Sequence, residues 1–302
     1  MTDRTSVYRG RFAPSPTGPL HFGSLVAALG SYLDACSCGG EWLVRMEDLD
    51  RTREVPGARD AILRTLDAFG FAWDRPVLYQ STRTDAYAEA LEQLRGDGLV
   101  FPCACSRSEI TALGHEGQEG PIYPGTCRAG LPPGRRARSL RVRAQSGPIA
   151  FRDRIQGKLT QDLAREVGDF VLKRADGIHA YQLAVVVDDA SQGVTHVVRG
   201  ADLMPSTPRQ IFLQQALQLT IPVYAHLPLA VDPEGRKLSK SDAAAPVDPR
   251  NPLPALLQAW RFLVQLPFAE SPANLDEFWQ QALASWRTVH ISAARTRPLP
   301  AR

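Results

Sequence analysis

The sequence predicts an α/β protein, a parallel sheet with helices on its faces. Two observations predict it. From Val7 to Leu94, short apolar runs of strand character alternate with longer runs whose apolar residues recur at helical spacing. The first strand is joined to the first helix by a rigid turn rich in Pro and Gly, which aims the N–H groups of a helix N-terminus at an anion. The chain is long enough for such a core: 302 residues, 44% hydrophobic and 22% charged, suggest a soluble globular protein of about two domains.

A formal charge of +3 permits a nucleic-acid partner without demanding one. No apolar run reaches 18 residues, and Met1 to Arg11 has no apolar core, so neither a membrane span nor a secretory signal is expected. Five cysteines, an odd number in close pairs, fit a reducing compartment and a metal site better than a disulfide framework. The expected location is the cytoplasm.

Val7 to Phe12 alternates as the first strand, and Leu25, Leu29, Tyr32 and Leu33 mark the first helix. In the turn between them, Pro14, Pro16 and Pro19 restrict φ, Gly18 and Gly23 let backbone approach a ligand, and His21 can donate to a phosphate. The plainer alternative is a Pro-rich connection with an incidental histidine. The helix ends near Cys36-Ser-Cys38-Gly-Gly40, whose cysteines have no further Cys or His within the next thirty residues and read as free thiols. Glu41 to Glu47 reads as a buried second strand, with Glu47, Asp48 and Asp50 at its C-terminal end, where open α/β sheets bind ligands. Ala58, Ile62, Leu63, Leu66 and Phe69, then Tyr87, Leu91 and Leu94, mark two more helices, with Gly96 and Gly98 as stops.

From Cys103 the character changes. Cys103, Cys105 and Cys127 predict a small structural zinc site, because soft thiolates favour zinc and an internal metal can replace a missing core. On the residues alone His115 is the natural fourth ligand, and reduced structural cysteines are the alternative. Arg135 to Arg143 is a basic run alternating into a strand, open to two readings, a solvated edge strand or an RNA phosphate track. Gly168 to Arg174, Tyr181 to Asp189 and Gly193 to Asp202 are expected strands, and Ser206-Thr-Pro-Arg-Gln210 opens a helix. Late in the chain comes Lys237-Leu-Ser-Lys-Ser241, which holds two of only four lysines in a chain with 31 arginines. Compact, flexible point charges suit gripping and releasing a phosphate; a solvated basic turn is the alternative.

The stretch Arg11 to Ser24 resembles the HIGH signature of the class I aminoacyl-tRNA synthetases, and Lys237 to Ser241 resembles their KMSKS loop. Val186-Val-Asp-Asp189, Val198-Arg-Gly-Ala-Asp202 and Thr207-Pro-Arg-Gln210 resemble segments of the glutamyl branch, in the right order and spacing. Ser24 stands where the signature has its second histidine, which weakens one phosphate contact. The resemblance implies a class I synthetase Rossmann-type parallel sheet with an inserted acceptor and zinc subdomain and a short C-terminal helical segment. It divides the chain into a first catalytic half at 1–100, an insert at 101–187, a second catalytic half with the lysine loop at 188–245, and a helical appendage with a loose tail at 246–302.

The activity implied is attack of the glutamate α-carboxylate on the α-phosphorus of ATP, with Mg2+, giving glutamyl-adenylate and pyrophosphate. Glutamate is expected against Arg11, Phe12, Ala13, Pro14, Ser15, Glu47, Tyr181 and Arg199. Glu47 would accept the α-ammonium and Arg199 would read a carboxylate bidentately, favouring glutamate over glutamine. ATP is expected over His21, Gly23 and Ser24 with Lys240 on its phosphates. His21, Lys237 and Lys240 would then carry catalysis by positioning and charge neutralisation, with no protein nucleophile. Asp189 and Asp202 would hold ribose or water, or serve as structural caps. For zinc, the resemblance points to Tyr123, not His115, beside Cys103, Cys105 and Cys127.

After Ser241, Leu256, Leu257, Trp260, Leu263 and Val264 mark one amphipathic helix. Leu275, Phe278, Trp279, Ala282, Leu283 and Trp286 mark another, opened by Asn274 with Glu277 at capping-box spacing, and the last ten residues read as a loose tail. No long helical anticodon-binding portion is expected, unlike in full glutamyl-tRNA synthetases. The resemblance therefore narrows to truncated members that esterify glutamate onto queuosine at the wobble position of tRNA(Asp). A monomer would dock the anticodon stem-loop, with Arg128, Arg135, Arg136 and Arg138 on its backbone. A minimal glutamyl-tRNA synthetase charging a tRNA 3′ end, and a non-catalytic synthetase-like binding module, are the alternatives.

Overall fold

The computed structural model describes residues 7–117, 120–232, 235–236 and 245–299. The lysine pentapeptide at 237–241 lies outside them. The first strand, Arg9–Phe12, pairs in parallel with Glu41–Met46, which pairs in parallel with Leu78–Tyr79. Trp42 to Met46 are all buried, the continuous pattern of a parallel strand covered on both faces. A second parallel pair, His196–Gly200 with Val223–Leu227, lies against the first strand. There the Thr195 N–H donates to the Arg9 carbonyl at 2.9 Å, and Tyr8 stacks on His196 with ring centroids 3.8 Å apart. The parallel sheet is thus built in two pieces that meet at Tyr8 and Arg9 against Thr195 and His196, where the sequence suggested a single sheet.

The first helix, Phe22–Cys36, lies across this junction with Leu25, Leu29 and Leu33 buried. Gly30 lets the helix approach closely there: a Cβ would meet Leu227 Cδ1 at 2.7 Å, so any side chain at this position would displace Leu227 of the second parallel pair. Cys36 and Cys38 sit at its end as free thiols, and burial pushes the Cys36 thiol up to about 11.

Tyr181 to Asp189, expected as a strand, is a helix, Tyr181–Ser191. A short apolar run cannot be assigned by periodicity alone. Here the helical turn brings both Asp188 and Asp189 onto buried partners, Tyr87 and Gln80 for one and Arg11 and Arg45 for the other. Successive residues of a strand would face opposite sides of the sheet. The strand expected over Gly193 to Asp202 is confined to His196–Gly200 and gives way to a 3₁₀ helix, Ala201–Ser206, before the expected helix, Thr207–Ala216.

The solvated-edge reading of the basic run is corrected. Ser139–Val142 is the middle strand of an antiparallel sheet, between Val100–Cys103 and Val171–Lys173. Arg141 is buried, its guanidinium 4.2 Å from the centroid of the Tyr123 ring. Arg135 is held by Glu109 at 2.8 Å, while Arg136 and Arg138 are exposed. A separate hairpin, Pro148–Asp153 with Gly157–Asp162, turns back toward the parallel sheet.

Both C-terminal helices form, Pro252–Phe262 and Leu275–Ser285, the second capped by Asn274, whose side chain accepts the Glu277 N–H. Trp260, Phe278 and Trp286 join the first helix in one core. The tail is not loose as far as Pro298: Thr296–Pro298 pairs in parallel with Leu229–Val231, satisfying an otherwise open strand edge. No helix among the described residues is long and apolar enough to cross a membrane.

Asp34 ties these parts together. Its buried carboxylate accepts from Tyr8, from Arg154 of the hairpin turn, from Thr288 at 2.6 Å and from Trp286 at 3.4 Å. Replacing it by Ala strands several donors at once, so Asp34→Ala should lose about 3 kcal/mol in urea unfolding, against about 1 kcal/mol for Thr288→Ala. Equal losses in the two variants would contradict this account of the junction.

Candidate active site

A cavity of about 560 Å³ opens where the two parallel pieces end. Its floor comes from strand ends, as expected at the C-terminal edge of an α/β sheet: Arg11 and Phe12 from the first strand, Glu47 after the second, and Arg199 and Leu227 from the second pair. The described residues named from the sequence for glutamate and ATP are all in its wall, Arg11, Phe12, Ala13, Pro14, Ser15, His21, Gly23, Ser24, Glu47, Tyr181 and Arg199, whereas Asp189, expected to hold ribose or water, does not line it. Asp202 also lines it, whereas Lys237 and Lys240 lie outside the described residues.

His21 is the N-cap of the first helix, its Nδ1 accepting the Ser24 N–H at 3.4 Å while its Nε2 meets the Ser24 hydroxyl at 3.1 Å. The residue standing for the second histidine of the motif therefore packs on the first.

The electrostatics centre on Asp189. Arg11 grips it bidentately, Nε and Nη2 at 3.1 and 3.3 Å, and Arg45 Nη1 donates to it at 2.7 Å. Burial pushes this carboxyl up, but the two guanidiniums outweigh burial and hold it at about 2. Asp189 is thus committed to an internal ion pair. Glu47 receives only a 3.4 Å contact from Arg45; burial raises its carboxyl despite Arg45 and Arg11. Of the acidic cluster, Asp48 is taken by Ser81 and Arg59, and Asp50 by Arg174. Glu47 is the member that faces the cavity.

Arg199 is buried among acceptors. Its Nε donates to His226 Nε2 at 3.0 Å and its Nη2 to Thr207 Oγ1 at 2.9 Å, while among the described residues Nη1 is buried without a partner. A guanidinium in a cavity wall whose partners among the described residues, His226, the Leu203 carbonyl and Thr207, are all neutral is a site for an anionic acceptor. His226 and its strand, Val223–Leu227, were not anticipated from sequence; the signal available was the apolar segment between Pro222 and Pro228. The hydrophobic wall from Val198, Leu203, Pro228 and Leu229 was missed with it.

A second cluster lies in the antiparallel region. The Sγ atoms of Cys103, Cys105 and Cys127 fall within 4.8 Å of one another. Tyr123 Oη is 3.5 Å from Cys103 Sγ and 3.9 Å from Cys105 Sγ, and Cys105 and Cys127 are 3.7 Å apart. Tetrahedral zinc, with bonds of about 2.3 Å to sulfur and 2.0 Å to oxygen, requires separations of about 3.8 and 3.5 Å, so these four groups fit that ion. His115 is not a member of the cluster found among the described residues.

Residues 7–251 match the family model described as tRNA synthetases class I (E and Q), catalytic domain. The chain is 60% identical over 284 residues to a glutamyl-Q tRNA(Asp) synthetase of Dechloromonas aromatica, covering 93% of this chain and 94% of that protein. It is 56% identical over 294 residues to a protein of the same name from Aromatoleum aromaticum, covering 96% and 92%. Among solved structures, a glutamate tRNA ligase from Elizabethkingia meningosepticum in complex with its amino acid superposes with a TM-score of 0.80 at 26% identity, over 97% of this chain and 67% of that one.

The Asp189 pair sets an acid limit. Its carboxyl titrates near 2 folded and near 3.8 unfolded, so on acidification the unfolded chain binds the proton first. The stability it supplies is complete above about pH 4 and disappears toward pH 2, a loss of about 2 kcal/mol. Asp189→Asn should lack that acid limb and should already be weaker at pH 7 by about 3–5 kcal/mol, because Arg11 and Arg45 stay buried and uncompensated. Denaturant unfolding at pH 7, 4 and 2.5 measures both; an unchanged acid limb in the variant would refute the assignment.

Proposed function

Because the chain belongs to the class I tRNA synthetases of the E and Q kind, we propose that it activates L-glutamate with ATP and transfers the glutamyl group to queuosine at the wobble position of tRNA(Asp). The observation that carries this reading is the cavity's pairing of Arg199, whose guanidinium has only neutral partners among the described residues, and Glu47, the cavity-facing acid. An amino acid with a side-chain carboxylate offers both complements: its carboxylate meets Arg199 and its ammonium meets Glu47. A neutral glutamine amide would leave the buried guanidinium uncompensated. Arg11, Tyr181 and the backbone from Phe12 to Ser15 complete the amino-acid pocket in this reading. Asp189 serves it indirectly, by holding Arg11.

The adenylate forms when an oxygen of the glutamate α-carboxylate attacks the α-phosphorus and the bond to the pyrophosphate oxygen breaks. His21, Gly23 and Ser24 at the helix N-terminus, with Lys237 and Lys240, neutralise the charge that develops on the phosphates. Mg2+ accompanies ATP and supplies further neutralisation. A hydroxyl of the queuosine cyclopentene diol then attacks the acyl carbon, and AMP leaves. The Rossmann-type reading of the two parallel pieces, and that of 101–187 as an acceptor-facing insert, belong to the same proposal.

Cys103, Cys105, Cys127 and Tyr123 are read as one structural zinc site, supported by their spacing. Its role is to hold together a region with a small core of its own.

Two experiments test this. ATP–pyrophosphate exchange should depend on glutamate and not on glutamine or aspartate, and labelled glutamate should remain on tRNA(Asp) after its 3′ end is trimmed and be absent from tRNA lacking queuosine. Label lost with the terminal adenosine would mean a synthetase that charges a 3′ end. For the metal, protein purified without added zinc should carry about one equivalent. Cys103→Ser and Cys127→Ser should lose the zinc along with stability, and Cys36→Ser should keep it. Retention in Tyr123→Phe together with loss in His115→Ala would exchange the fourth ligand.

A further inference from the structure

Behind Arg199 stands a buried chain of polar groups that the reaction itself does not use. His226 and Asp153 are fully enclosed. Asp153 Oδ1 accepts three main-chain N–H groups, of Ile155 at 2.9 Å, Gln156 at 2.8 Å and His226 at 3.1 Å. Its Oδ2 meets His226 Nδ1 at 2.6 Å. A carboxylate whose other oxygen is saturated by donors can only accept there, so the imidazole hydrogen sits on Nδ1 and Nε2 is left as an acceptor. That acceptor takes the Nε–H of Arg199 at 3.0 Å, beside the Thr207 hydroxyl at 3.3 Å. Tyr224 lies parallel to the imidazole with centroids 6.1 Å apart, and Arg199 stands 5.4 Å from the same Tyr224 ring.

We propose that Asp153 and His226 are positioning residues for amino-acid recognition: by fixing the imidazole tautomer they hold the Nε edge of the Arg199 guanidinium, so that the group is presented at the cavity wall to the substrate's side-chain carboxylate. The inference rests on the reading of Arg199 as the carboxylate-binding group. Burial keeps His226 neutral, at about 4, which is consistent with an acceptor and not a second cation facing Arg199. The relay also gives a role to a hairpin from the middle of the chain: Asp153, at the end of its first strand, is the anchor of the imidazole.

Asp153→Asn is the informative variant. The amide oxygen can keep the three main-chain contacts, but its NH2 then donates to Nδ1 and drives the hydrogen to Nε2, against the Arg199 N–H. Glutamate-dependent ATP–pyrophosphate exchange should show a KM for glutamate raised about tenfold or more, with kcat and the KM for ATP within about twofold, and with weaker discrimination against glutamine. Nitrogen-15 spectra of histidine-labelled protein, with His226 assigned by its loss in His226→Asn, should show the Nδ1–H tautomer in the wild type and the Nε2–H tautomer in Asp153→Asn. His226→Gln, which can keep an acceptor for Arg199, should retain more glutamate affinity than His226→Asn, which keeps only the link to Asp153. That pair carries the test if Asp153→Asn does not fold. A switched tautomer with an unchanged KM, or an Nε2–H tautomer in the wild type, overturns the relay while the function stands. Wild-type protein without glutamate-dependent exchange overturns the reading of the site and the relay with it.

Discussion

The ion pair between Asp189 and its two arginines is the constraint around which the site is assembled. Arg11 comes from the first strand, Arg45 from the second and Asp189 from the helix Tyr181–Ser191, so three elements far apart in sequence meet at one carboxylate. Burying two guanidiniums costs more than their attraction to a single carboxylate returns unless geometry is close and further acceptors are supplied. Here Gln192 takes Arg45 at 2.9 Å and Glu47 takes it more weakly. The assembly leaves Glu47 with a single long contact from Arg45, so burial raises its carboxyl, while Arg199 has only neutral partners among the described residues. A zwitterion with an extra negative charge is what such a surface lacks.

Much of this was legible in the chain. The Pro- and Gly-rich turn, the acidic end of the second strand and the Val-Arg-Gly segment each have a local chemical reason to exist, and the fold brings all three to one wall. Those features are written in a few adjacent residues. What could not be read depended on partners distant in sequence. Tyr181 to Asp189 has the β-branched content of a strand, and only the burial of both its aspartates against separate partners makes it a helix. The arginines at 135 to 143 read as a basic track, yet Arg141 lies under Tyr123 and Arg135 is paired with Glu109. Charge on a strand says little about exposure until its neighbours are known.

The thiol cluster is a middle case. Three cysteines in 25 residues limited the metal, but the fourth group was ambiguous because sequence distance does not order side chains in a loop. The Tyr123 hydroxyl is fixed by the Cys127 N–H at 2.7 Å, a contact four residues apart that aims the oxygen at the thiols. His115, the stronger ligand type, belongs to the stretch whose carbonyl instead accepts the Ile122 N–H.

One turn links these parts mechanically. Asp153 holds His226 under Arg199, the next residue, Arg154, holds Asp34 of the first helix, and Gln156 donates to the His226 carbonyl at 2.9 Å. A single hairpin therefore holds His226, which backs the cavity-lining Arg199, and Asp34, in the last turn of the helix whose N-cap is His21. Asp34 also receives Thr288 and Trp286, so the C-terminal segment is clamped at the same place.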